Sequence, residues 1–234
     1  MHPRTLLLAL AVLSSAALAQ EAPIRKNLTQ RLPSLPAIDS VTPTPMKGLY
    51  EVRLNGTELM YSDANGDFIL WQGDLIDTRQ RVNLTEARIQ QLTAIAFKDL
   101  PLKDAVVTVR GNGSRKIAVF SDPNCGFCKR LERDLLKIND VTIYTFVVAM
   151  LGPDSQTKAR NIWCAAKPAE VYTDWMLDGQ TPPTQSCDTA ALTRNMAFAQ
   201  KHRINGTPTS FLADGTRIAG ADIKAIERGL AAQK

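Results

Sequence analysis

Histidine is nearly missing from this chain: only His2 and His202 occur in 234 residues. With so little imidazole, there is no base around which to build a Ser-His-Asp constellation, and none is present. Glycine-rich phosphate loops and metal, flavin or nucleotide motifs are also absent, so no cofactor and no resident metal are expected. Charge of one sign does not accumulate either. The 28 Lys and Arg against 23 Asp and Glu leave a formal net charge of +5, with no block of five like charges. That spread is a solvated surface rather than a nucleic-acid patch. Long apolar runs are lacking beyond Leu6 to Leu13, which is far short of the ~20 residues that span a bilayer.

That one apolar run follows a weakly basic start at His2 and Arg4 and precedes Ala17-Leu18-Ala19, small residues suited to a cleavage point before Gln20. Residues 1–19 are therefore expected to be a cleaved signal peptide, the alternative being an uncleaved anchor for which the run is too short. Export places the remaining chain in a compartment that permits disulfides.

Four cysteines form two pairs of different character. Cys125 and Cys128 flank Gly126-Phe127, after the β-rich run Ile117 to Phe120 and before Leu131, Leu135 and Ile138, which share a helix face. Cys125 thus falls at a helix N-terminus, where free N–H groups and the helix dipole favour the thiolate, the nucleophilic form. Cys164 and Cys187, 23 positions apart, read as structural. A bridge closing that loop, around the helices near Trp163 and Trp175, stabilises by about 3 kcal/mol on the chain-entropy account. A four-cysteine zinc site stays open as the rival, although zinc sites usually present two close pairs and only one is close here.

Pattern divides the remainder. Residues 20–82 begin with an amphipathic run, Ile24 to Leu32, followed by a lead-in punctuated by Pro33, Pro36, Pro43 and Pro45. From Leu49 the pattern turns to β, with Asn55-Gly56 marking a hairpin. So small a sheet is marginal alone and gains from pairing with a second copy. Asn83 and Glu86 can cap a helix carrying Leu84, Ala87, Leu92 and Ile95, which places a connecting helix in 83–101; an ordinary packed helix of either domain is the alternative. Residues 102–234 alternate strands and helices, with Thr207-Pro208 ahead of the apolar run from Thr209 to Leu212. The expected fold class is mixed: an α+β N-terminal part and an α/β C-terminal part.

Phe120-Ser121-Asp122 with Cys125-Gly126-Phe127-Cys128, Trp163-Cys164, Cys187-Asp188, Gly206-Thr207-Pro208 and Asp214-Gly215-Thr216 together resemble the DsbC/DsbG family of bacterial periplasmic disulfide isomerases. The resemblance implies a cystatin-like N-terminal dimerisation domain, a linker helix and a thioredoxin-fold domain with a helical insertion, assembled as a homodimer. It also implies periplasmic localisation, chaperone activity, misfolded disulfide-containing exported proteins as substrates and a membrane reductant of the DsbD type; the dispersed charge predicts no nucleic acid partner. By position, Cys125 is the attacking thiol and Cys128 the resolving thiol. Thr207 and Pro208 form the cis-proline loop that meets substrate, and Cys164 and Cys187 form the structural bridge.

Gly126 is the DsbC-like residue, where DsbG-type members carry proline. The chain departs from the family pattern at Phe127, usually Tyr, and at Lys129, often His; Lys129 adds a fixed positive charge near the thiols that favours the thiolate. Thiol exchange then offers two outcomes after Cys125 opens a substrate disulfide. A substrate thiol releases a rearranged product, or Cys128 resolves the mixed disulfide. The competing readings are a DsbG-like reductase of single cysteines or sulfenic acids, disfavoured by Gly126-Phe127, and a mainly holdase chaperone.

Overall fold

The computed structural model describes residues 21–233; the expected signal peptide lies outside the described residues. The chain forms two compact units that part between Leu92 and Thr93. Among the described residues, no helix is long and apolar enough to cross a membrane.

In the first unit a helix over 21–31 (α1) precedes four antiparallel strands in sequential order: β1 (Ile38–Pro43), β2 (Leu49–Leu54), β3 (Glu58–Asp63) and β4 (Ile69–Trp71). Ile24 and Leu28, one helical turn apart, join Val41, Val52, Leu54 and Met60 in its core. The β2–β3 hairpin turns at Asn55 and Gly56, both at positive φ, as the Asn-Gly pair allows. A two-strand ribbon, β5 (Ile76–Asp77) and β6 (Val82–Asn83), leads into α2 (Leu84–Thr93), whose first turn is capped by Asn83 Oδ1 accepting the Glu86 N–H at 3.0 Å.

The prolines hid β1. The lead-in around Pro36, Pro43 and Pro45 reads as irregular, yet Ile38–Pro43 pairs with β2 as an edge strand, and Pro43 ends it, where a missing donor is tolerated. Helix α2 is also shorter than the 83–101 segment assigned to it, because the chain beyond it has other partners. Ile95 is buried in the second unit, its N–H donating to the Gly215 carbonyl at 3.2 Å, and single 3₁₀ turns follow at Phe97–Asp99 and Leu102–Asp104.

The second unit is a five-stranded mixed sheet in the order β11-β10-β8-β9-β7: β7 (Val106–Arg110), β8 (Arg115–Ser121), β9 (Val141–Val147), β10 (Thr209–Leu212) and β11 (Arg217–Ala219). Strands β8 and β9 are parallel, joined by α3 (Gly126–Leu135); the other pairs are antiparallel. Central strand β8 is buried on both faces. Ile117 and Val119 pack with Leu131 and Leu135 of α3 and with Ile226 and Leu230 of α7 (Ile223–Ala231). Ala118 and Phe120 pack on the opposite side with Phe146 and Phe211. Between β9 and β10 lies a helical insertion of α4 (Pro153–Trp163), α5 (Pro168–Asp178) and α6 (Ala190–Lys201). The helices expected near Trp163 and Trp175 are α4 and α5. Pro168 cannot donate within a continuing helix, so it starts a new one at the first position.

Candidate active site

Strand β8 ends at Ser121, and the next four residues turn the chain into α3. Asp122, fully buried, organises that turn. Its Oδ1 accepts the Asn124 N–H at 2.8 Å and the Ser155 hydroxyl at 2.7 Å; its Oδ2 accepts the N–H groups of Met150 and Leu151 at 2.7 and 2.9 Å. One carboxylate therefore ties the approach to Cys125 to the loop after β9 and to the start of α4. Asn124 adds a bond from Nδ2 to Asp154 Oδ2 at 2.7 Å.

Cys125 is the N-cap of α3, with extended backbone and no side-chain cap, and the Lys129 N–H closes the first turn on its carbonyl at 3.1 Å. Free N–H groups and the positive end of the helix dipole lie at this end of α3. The Cys125 Sγ–H donates to the Thr207 carbonyl at 3.2 Å, 82 positions along the chain, and the Thr207-Pro208 peptide is cis. Cys125 and Cys128 are both free thiols in this structure, 7% and 2% exposed.

The two thiols differ electrostatically. Burial pushes the Cys128 thiol up to about 12, and the neighbouring Cys125 adds to the rise; the Ser121 and Thr207 side chains offset part of it. Cys128 is therefore held as a thiol at neutral pH, while Cys125 sits at the helix end. Phe127, 65% exposed, and exposed Gly126 form the outer surface of the turn.

Lys129 directs its amine over the Trp175 ring, 3.9 Å from the centroid, and Lys158 Nζ lies 4.6 Å from the same ring. Burial lowers the Lys129 pKa, as do the charges of Lys158 and Arg133. On the same helix Glu132 is buried, which raises its carboxyl above the ordinary value, partly offset by Arg110 at 3.2 Å.

Cys164 and Cys187 are bonded to each other, Cα atoms 5.5 Å apart, joining the end of α4 to the segment before α6. The four cysteines do not gather into one ligand set, and among the described residues no three His, Cys, Asp or Glu side chains converge as a metal site. The structure thus brings Cys125, Cys128 and Thr207-Pro208 together. It also adds residues that sequence reasoning gave no role: Asp122, Tyr172 and Trp175. Asp122-Pro123-Asn124 carried a readable signal, a side chain able to bond two residues ahead. Tyr172 carried none, since its partner Ser121 is 51 positions away.

Residues 102–226 match the family model described as Thioredoxin-like domain, and residues 15–86 match Disulfide bond isomerase protein N-terminal domain. The probable thiol:disulfide interchange protein DsbC of Bordetella pertussis is 42% identical over 198 residues, covering 85% of this chain and 69% of that protein. The chain belongs to the DsbC family. The thiol:disulfide interchange protein DsbC of Escherichia coli (strain K12) is 28% identical over 218 residues, 90% of this chain and 87% of that protein. A crystal structure of a disulfide interchange protein from Neisseria gonorrhoeae is 37% identical, covering 56% of this chain and 99% of that one at a TM-score of 0.53. As a DsbC-family member the protein is an enzyme of thiol:disulfide interchange, with a thioredoxin-like fold beside the DsbC-type N-terminal domain.

Proposed function

We propose that the protein is a periplasmic disulfide isomerase that rearranges incorrect disulfides in exported proteins through Cys125, with Cys128 as resolving thiol. The observation that carries the reading is the asymmetry of the pair: a thiol at a helix N-terminus bonded to the Thr207 carbonyl, beside a deeper thiol whose pKa burial raises. Cys125 thiolate attacks a substrate disulfide, releasing one substrate sulfur as thiolate and forming a mixed disulfide. A second substrate thiolate then attacks its own disulfide-bonded sulfur and regenerates Cys125, so electrons balance without an external oxidant. When Cys128 resolves instead, the enzyme leaves oxidised and needs a reductant, for which the family implies a membrane protein of the DsbD type.

Thr207 and Pro208 supply the backbone edge for an extended substrate, Gly126 and Phe127 the exposed rim, Lys129 the adjacent cation, and Cys164–Cys187 the structural bridge. The first unit supports self-association into a homodimer, since its edge strand β4 exposes Leu70 and Trp71 at 57% and 47% next to Phe68 at 78%. Apolar surface of that kind also suits chaperone binding of unfolded chains.

The test is reactivation of a scrambled multi-disulfide protein in mildly reducing buffer, wild type beside Cys125→Ser. Activity lost in the variant is the expected result. If wild type fails to reactivate the substrate, the isomerase reading falls and a dedicated reductase or holdase replaces it.

A further inference from the structure

The deeper thiol of the pair poses a chemical problem. For Cys128 to resolve a mixed disulfide it must shed its proton in a site that water barely reaches, and an isolated buried thiolate is costly. The structure places a donor chain beside it. Tyr172 of α5 donates its hydroxyl hydrogen to Ser121 Oγ at 2.7 Å, and the Ser121 hydroxyl in turn meets the Cys128 thiol. Both residues are buried, Ser121 at the end of β8 and Tyr172 in the apolar cluster that holds both thiols. The Ser121 oxygen accepts from Tyr172, which leaves its own hydrogen available to a thiolate at Cys128. The groups facing this chain are Cys125, Thr207 and, along α3, Glu132 with its Arg110 partner. Burial holds the Tyr172 phenol well above 10, and negative charge on Glu132 or the thiols raises it further, so Tyr172 stays a donor.

We propose that Ser121 and Tyr172 are positioning residues for the resolving step: their hydroxyls, donating in series, stabilise the Cys128 thiolate and set how a mixed disulfide divides between resolution and rearrangement. The inference rests on Cys125 as attacking thiol and Cys128 as resolving thiol. In that step the Cys128 S–H gives up its proton, the Cys128–Cys125 S–S bond forms and the Cys125–substrate S–S bond breaks. The substrate leaves as a thiolate, which takes up a proton. Tyr172 belongs to the helical insertion, so the insertion contributes to the chemistry as well as covering it.

The experiment uses the full reduced protein and a cysteine peptide joined by a disulfide to thionitrobenzoate. Attack by Cys125 releases coloured thionitrobenzoate; resolution by Cys128 then releases the peptide thiol, measured by acid quench and mass spectrometry. In Ser121→Ala and Tyr172→Phe the ratio of release rate to attack rate is expected to fall about tenfold, the worth of one hydrogen bond to a charged sulfur. The pH midpoint of release should move up, and Ser121→Thr should restore both. A ratio like wild type, or a lower ratio with an unmoved pH midpoint, overturns the proposal. Loss of the colour phase in Cys128→Ser, or its survival in Cys125→Ser, would instead remove the underlying assignment of the two thiols.

Discussion

The indole N–H of Trp175 donates to the Pro123 carbonyl at 2.6 Å, two positions ahead of Cys125. Helix α5 thereby holds the active-site turn from outside while Asp122 holds it from within. The same ring carries the amines of Lys129 and Lys158, so the two charges are gathered at the mouth of the site on an aromatic face rather than left to roam in solvent. The insertion is in this sense part of the active-site wall.

Replacing Trp175 by Phe keeps an aromatic face and deletes the donor. The Pro123 carbonyl then loses its partner, a cost of about 1 kcal/mol. A urea melt should show a lower midpoint at an unchanged slope, and an identical midpoint would mean that the bond contributes nothing to the fold.

Asp122→Asn is expected to be more severe. The carboxylate accepts four hydrogen bonds with two oxygens, and an amide has one oxygen and two hydrogens of its own. Turned either way, the amide nitrogen faces N–H donors or the Ser155 hydroxyl in a site closed to solvent. Stability should fall by about 2–4 kcal/mol and disulfide reactivation should drop with it. Retention of both within error would show that the turn is organised by other contacts.

The contrast between Asn83 and Tyr172 shows what was legible in the chain. Asn83 was readable as a cap because its partner is three residues away, and Cys125 was placed at a helix start because a β-rich run and a helix-spaced apolar face abut it. Pro43 misled because an edge strand tolerates a proline that a central strand does not. The apolar spacing that predicts a helix in 83–101 continues to Ile95, but the partner of Ile95 is the Gly215 turn, 120 positions on, and the helix stops short of it. Tyr172, Asp122 and Trp175 owe their roles to side chains meeting across elements, which no local pattern encodes.

The bond between Cys164 and Cys187 spans 23 positions and joins α4 to the segment before α6. Replacing both by serine should cost about 3 kcal/mol by freeing that loop in the unfolded chain. Since Asp154 and Ser155 at the other end of α4 reach Asn124 and Asp122, the variant should also lose hydrogen-exchange protection around 122–125. Loss confined to 164–189 would mean that the helix does not transmit the constraint.

Asp104, buried at the foot of the insertion, accepts both Nε and Nη2 of Arg194 at 2.8 and 2.7 Å, and its backbone carbonyl accepts Asn195 Nδ2 at 3.0 Å. The Arg194 hydrogen bonds hold its carboxyl below the ordinary value of 3.8, against the opposing pull of burial. A carboxyl whose pKa is lower folded than unfolded binds more protons unfolded. Its contribution is therefore present above the unfolded value and lost as pH falls from there through the folded one. The stability of wild type relative to Asp104→Asn should be constant above pH 5 and decline below about pH 4. Chemical denaturation from pH 6 to pH 2.5 measures that difference directly, and a flat difference across the range would mean that the ion pair does not couple to folding.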